Sequence, residues 1–282
     1  MPQWGPRCMT RRGKMSTITD TEAYAAPTPS LLYIHDDLSE YICRQQGEAS
    51  PAWQLTREFF TLLHRDPGRV MVLTLELQIE RLLAQGHYAP FALAIGIGRA
   101  GERAAQQLHA KTGWFPNMTR VDITREEDGH GGYNVVSTTG IPLAQQLPPL
   151  EAVSSLAVVD DTVFSGLTMR TVIQALPPEV RAHTQAFCLR GVAASLASIA
   201  ALCPITAGLA APGRLLDEVS FINASGLVMR VGIRHPDRPP QAFFERPVWM
   251  QAWFPGYAVE VIASCLRLNI ILEPDGQPAQ FP

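Results

Sequence analysis

Leu156-Ala-Val-Val-Asp160-Asp161-Thr162-Val163-Phe164-Ser165-Gly166-Leu167-Thr168 is the stretch that decides the fold of this chain. Its apolar start has no polar alternation and reads as a strand buried on both faces. The strand delivers two adjacent carboxylates at its end, and a short turn then opens into a helix over residues 167–176, closed by Pro177-Pro178. Backbone N–H groups in such a turn, with the positive end of the helix, cradle an anion without any Lys or Arg. A phosphate monoester fits there. Ser165 and Thr168 add hydroxyl donors, and Gly166 lets the backbone close around the oxygens. Two acids beside a phosphate would repel it unless they face sugar hydroxyls, or a Mg²⁺ held through water. The pattern therefore points to a phosphorylated sugar with a metal.

Working outward, residues 91–95 form a second apolar run, followed by a glycine-containing turn and a helix over 101–111. Residues 184–189 and 204–209 are further apolar strands around an alanine-rich segment, 192–202. Strands alternating with helices imply an α/β fold with a mostly parallel sheet flanked by helices, and such sheets bind ligands beyond the carboxyl ends of their strands. Upstream, Pro51 opens a helix whose apolar face ends at Asp66-Pro67-Gly68, and the spacing of Leu73, Leu77 and Leu83 predicts a second helix over 70–85. Between the strand units, residues 114–150 carry Arg120, Asp122, Arg125, Glu126, Asp128 and His130 around three glycines, which reads as a surface loop or a lid. Near the C-terminus Trp249, Trp253, Phe254 and Tyr257 form an aromatic cluster, more often core than pocket.

The 282 residues allow one large domain or two modest ones at roughly 150 residues each. Charged residues are 17% of the chain, against a typical value of about 25%, while 46% are hydrophobic, which excludes a disordered or coiled-coil chain. The net charge of −3 offers no global positive field for a long nucleic acid. The five cysteines are odd in number, widely spaced and without a zinc-ligand pattern, which suits a reduced, cytoplasmic chain. No apolar run is long enough to span a membrane, and the first residues lack the apolar core of a secretory signal. Residues 1–30 read as a flexible arm, and 31–282 as a single α/β domain.

The segment from Leu156 to Thr168 resembles the ribose-phosphate-binding signature of the type I phosphoribosyltransferases: apolar strand, two acids, three variable residues, Ser or Thr, Gly, one variable residue, Ser or Thr. The resemblance implies that the turn of Thr162, Val163, Phe164, Ser165, Gly166, Leu167 and Thr168 holds the 5-phosphate of phosphoribosyl pyrophosphate. It places the ribose hydroxyls near Asp160 and Asp161, which also hold Mg²⁺ through water. A second match is Gly98-Arg99-Ala100-Gly101, which resembles the family's pyrophosphate-binding loop and implies that Arg99 stabilises the leaving group. Arg120, Arg125 and His130 become candidate lid residues. Phe164 stands where the hypoxanthine–guanine branch has an acid, so it offers an apolar surface to the acceptor or packs beneath the loop. The family fold implies a core at about 90–210 and a variable hood from 31–90, from 211–282 or from both, in a homodimer acting on a nucleobase or related heteroaromatic. Two alternatives stand beside this transferase: a regulator that senses phosphoribosyl pyrophosphate without catalysis, and an NAD(P)-dependent oxidoreductase. The second uses Gly96-x-Gly98-x-x-Gly101 as a dinucleotide fingerprint, with Asp122 on the ribose.

Overall fold

The strand before the acid pair lies at the centre of the main sheet. A computed structural model describes residues 32–128, 132–211, 221–231, 233 and 239–274. In chain order its first elements are β1 (Leu32–His35), α1 (Leu38–Gln46), α2 (Pro51–Leu63), β2 (Val70–Leu73) and α3 (Leu75–Leu83). Then follow β3 (Leu93–Ile97), α4 (Gly98–Thr112), β4 (Met118–Val121), β5 (Ile123–Glu127), β6 (Tyr133–Ser137), α5 (Leu143–Gln146), β7 (Leu156–Val163), α6 (Leu167–Ala175) and α7 (Pro178–Arg181). The chain continues through β8 (Thr184–Val192), α8 (Ala193–Ala200), β9 (Ile205–Ala211), β10 (Phe221–Asn223), α9 (Ala224–Val228), α10 (Pro247–Trp253) and α11 (Ala258–Leu272).

Five parallel strands run in the order β4-β3-β7-β8-β9, giving the α/β fold that the alternating pattern implies. Leu156, Ala157, Val158 and Val159 are fully buried because helices cover both faces of β7. Val158 belongs to the core on the α6 side, with Met169, Val172 and Ile173, and Val159 to the core on the α4 side, with Ala104, Leu108 and Phe187.

A second parallel sheet, β10-β1-β2, stands beside the first and was not anticipated from sequence. The predicted helix over 70–85 is divided: Val70-Met-Val-Leu73 pairs with β1, and Thr74 accepts a hydrogen bond from the Leu77 N–H at 3.2 Å to start α3 afresh. The leucine spacing was compatible with a helix throughout, but strand pairing overrides it for the four residues before the cap. α3 then lies on the main sheet, where a Cβ on Gly208 would stand 2.6 Å from the carbonyl oxygen of Gln78. Trp253, Phe254 and Tyr257 are buried in a core shared by α1, α2, α9, α10 and α11, so the aromatic cluster is packing.

The segment 114–150 is more ordered than a surface loop. β4 joins the edge of the main sheet, and β5 and β6 form an antiparallel hairpin. No helix among the described residues is long and apolar enough to cross a membrane, and Cys43, Cys188, Cys203 and Cys265 are free thiols.

Candidate functional site

The two acids at the end of β7 are close enough for their carboxyls to interact, yet they take different partners. Asp160 lines a small open cavity with Arg125, Thr162, Ser165, Gly166 and Thr168, while Asp161 points toward β8 and the second sheet. Gly166 caps α6 with φ +71°, and a Cβ there would also meet Ile199 Cδ1 at 3.3 Å, so both conformation and space call for glycine. The Ser195 hydroxyl donates to the Phe164 carbonyl, and the Leu167 N–H donates to Ser165 Oγ at 3.3 Å, which fixes the turn against α8. The turn thus carries the hydroxyl- and glycine-bearing helix start that the sequence suggested.

Arg125, on the hairpin, reaches this turn. Its Nη1 donates to Ser165 Oγ at 3.4 Å, and its guanidinium lies 5.4 Å from the Phe164 ring centre and 5.3 Å from that of Tyr133. Phe164 is half-buried between Arg125 and Phe221, whose ring centre is 6.3 Å away, so it packs the turn against the second sheet. Arg120 is held elsewhere, donating to Glu102 at 2.7 Å and pairing with Asp122 at 2.8 Å. That pairing also engages Asp122, the acid a dinucleotide would need. His130 lies outside the described residues.

Gly98 to Gly101 form the first turn of α4 rather than a loop before it. Gly98 starts the helix with φ +60°, Gly101 is buried against β7, and Arg99 is exposed with no ion-pair partner among the described residues. Gly96 is set by packing, since a Cβ on it would stand 2.6 Å from the backbone of Glu102, whereas nothing lies within 4 Å of Gly98.

Asp161 has a buried partner that the sequence reading missed. Arg190, on β8 and 0% exposed, donates Nη2 to Asp161 Oδ2 at 3.0 Å and to Asn223 Oδ1 at 2.9 Å, and Nη1 to Gln78 Oε1 at 2.7 Å. Thr162 Oγ1 also donates to Asp161 Oδ2, at 3.0 Å. Burial pushes the Asp161 carboxyl up, but Arg190, with help from the Thr162 hydroxyl, outweighs it and leaves Asp161 below the ordinary carboxylate range. Asp160 goes the other way: burial, then the charge of Asp161, holds it well above that range. His35 is lowered to about 3 by burial and by Arg190, so it stays neutral beside Gln78. A lone Arg at the end of an otherwise apolar strand was the one available signal for this network.

Among the described residues no three His, Cys, Asp or Glu side chains converge as a ready-made metal site. Mg²⁺ commonly binds through one or two carboxylates together with substrate phosphates and water, and the Asp160–Asp161 pair fits that limited role.

No family model matches the chain, and no curated protein matches it. Solved structures similar to it include a purine phosphoribosyltransferase from Pyrococcus horikoshii, 18% identical over 61% of this chain and 88% of that one, with a TM-score of 0.33. An APRTase from Giardia lamblia complexed with 9-deazaadenine is 14% identical over 54% of this chain and 83% of that one, TM-score 0.35. An orotate phosphoribosyltransferase from Aeropyrum pernix is 19% identical over 48% and 68%, TM-score 0.29. The functional reading therefore rests on the residues of the site.

Proposed function

We propose that this chain is a phosphoribosyltransferase that moves the 5-phosphoribosyl group of phosphoribosyl pyrophosphate to a nucleobase or related heteroaromatic acceptor and releases pyrophosphate. One observation carries the reading: the cavity at the start of α6 is lined by Asp160 on one side and by Thr162, Ser165, Gly166 and Thr168 on the other, with Arg125 above. Hydroxyls, a helix start and one Arg suit a phosphate, and the Asp160 carboxyl group suits the hydroxyls of the sugar attached to it.

In this reading the turn from Thr162 to Thr168 holds the 5-phosphate, and Asp160 and Asp161 accept hydrogen bonds from the ribose hydroxyls. Arg99 is exposed at the start of α4, suitably free to meet the pyrophosphate and stabilise the charge that grows on it as it leaves. Arg125 and the hairpin cover the turn and exclude water from the activated sugar. Asp160 and Asp161 would hold Mg²⁺ through water, and the ion would supply charge neutralisation to the pyrophosphate. The core spans about residues 90–210. The flanks on both sides form the hood together, since residues of α1, α2, α9, α10 and α11 share one core. We further take the protein to act as a cytoplasmic homodimer, which light scattering tests.

The test is a thermal-shift comparison of phosphoribosyl pyrophosphate with Mg²⁺ against NAD and NADP, followed by a pyrophosphate-release assay with a panel of nucleobases and other heteroaromatics. Stabilisation by the sugar pyrophosphate and release with at least one acceptor support the proposal. Stabilisation by NAD alone overturns it, and binding without release across the panel points to a sensor.

A further inference from the structure

Arg190 is a fully buried charge whose three bonded partners each belong to a different element. β8 carries it, β7 supplies Asp161, α3 supplies Gln78 and β10 supplies Asn223. A guanidinium is a rigid planar fork, so three partners in fixed directions leave it a single orientation. That orientation passes to Asp161, whose Oδ2 accepts from both Arg190 and Thr162. The other ends of the fork are themselves anchored. Gln78 is fully buried, and its amide nitrogen donates to the Thr74 carbonyl at 3.0 Å and lies 2.9 Å from His35 Nδ1, at the carboxyl end of β1.

A buried ion pair is weak evidence for stability, since the cost of desolvating both charges offsets their attraction. Packing alone could have filled this place with an apolar side chain. A fork whose two terminal nitrogens go to one acid and two amides, with Nε left without a hydrogen-bond partner, is suited to setting a geometry.

We propose that Arg190 is a positioning residue: clamped by Gln78 and Asn223, it presets the Asp161 carboxylate for the ribose and thereby ties the sugar site to the second sheet. The inference rests on the phosphoribosyltransferase reading. It predicts that residues of the second sheet and α3, which touch no substrate, govern affinity for the sugar pyrophosphate.

The experiment is calorimetric titration of Mg²⁺ and phosphoribosyl pyrophosphate into the full chain, its R190K and N223A variants, and the D161N, R190Q and D161N/R190Q set, with steady-state kinetics alongside. R190K keeps the charge but loses the fork, and N223A keeps the ion pair but loosens the clamp. Each is expected to weaken binding about tenfold and to raise KM far more than it lowers kcat. In the double-mutant cycle, R190Q is expected to have almost no further effect once Asp161 is Asn, because Arg190 acts through that acid. A purely structural role would lower the unfolding midpoint while leaving affinity and KM where they were. Should R190Q fail to fold, N223A and R190K decide the matter. Wild-type protein that binds while both of these bind equally well overturns the inference alone; wild-type protein that does not bind overturns the inference together with the function it rests on.

Discussion

Gly101 sits so close to β7 that a Cβ on it would stand 2.5 Å from the carbonyl oxygen of Val159 and 3.3 Å from the Cα of Asp160. The start of α4 is thus pressed directly against the strand that presents the acid pair. Alanine is the better helix former by about 1 kcal/mol, yet overpacking against a backbone typically costs about 1–3 kcal/mol, and here the clash prevails. Gly101→Ala is expected to lower stability by about 2 kcal/mol in urea unfolding and to weaken sugar-pyrophosphate binding, because α4 must back away from Asp160. Gly98→Ala is the comparison: nothing lies within 4 Å, and its cost of about 1 kcal/mol comes only from φ +60°. Equal effects of the two substitutions would remove the packing argument.

The two acids of one motif should respond in opposite ways to the same chemical change. Asp160→Asn replaces a carboxyl that burial already holds toward its protonated form, so stability should move by less than about 1 kcal/mol. Asp161→Asn leaves Arg190 buried without its anionic partner and should cost about 3 kcal/mol. Both variants are expected to lose turnover. Urea denaturation of the pair checks the asymmetry, and a larger loss for Asp160→Asn would refute it.

That asymmetry also marks the limit of what the sequence shows. Strand, acids, glycine and helix are local, and Leu156 to Thr168 carried them in consecutive residues, so the turn could be placed from the chain alone. Arg190, Gln78 and Asn223 lie 29, 83 and 62 residues from Asp161, and Arg190 reaches Asp161 and the two amides only because β8 pairs with β7 and the second sheet lies beside it. The second sheet was illegible for a related reason. β1, β2 and β10 are three or four residues each, too short for periodicity to separate a strand from a helix end. The glycines that resemble a dinucleotide fingerprint have separate local causes: Gly96 and Gly101 lie where α4 approaches β3 and β7 closely, and Gly98 has φ +60°.

Arg125 connects the hairpin to the turn through Ser165 and the face of Phe164, at the surface of the fold rather than in its core. Removing a contact of this kind should cost little stability, about 0.5–1 kcal/mol. Arg125→Ala is expected to raise KM for phosphoribosyl pyrophosphate about tenfold while leaving the unfolding midpoint within a degree or two. Phe164→Ala should do the reverse, since the ring packs against Phe221. Kinetics and thermal unfolding of the two variants separate the roles, and an unchanged KM in Arg125→Ala would exclude the Arg from the site.

Asp37 gives the fold a pH dependence that is independent of catalysis. Its carboxylate accepts from the Ser225 N–H at 2.8 Å and from the Ser225 hydroxyl at 2.5 Å, which joins the start of α1 to α9. Burial still dominates and pushes the carboxyl up to about 6 from its ordinary 3.8. Between these two values the folded chain holds a proton that the unfolded chain has released, so folding becomes less favourable as pH rises through that window and levels off above it. The shift corresponds to at most about 3 kcal/mol at roughly 1.4 kcal/mol per unit. Other groups titrate over the same range, but they do so alike in Asp37→Asn, which lacks this step alone. Urea unfolding of both proteins at pH 4 and pH 7 should therefore show the variant gaining on the wild type as pH rises. Parallel stabilities at the two pH values would mean that Asp37 is ionised throughout, with the two Ser225 donors outweighing its burial.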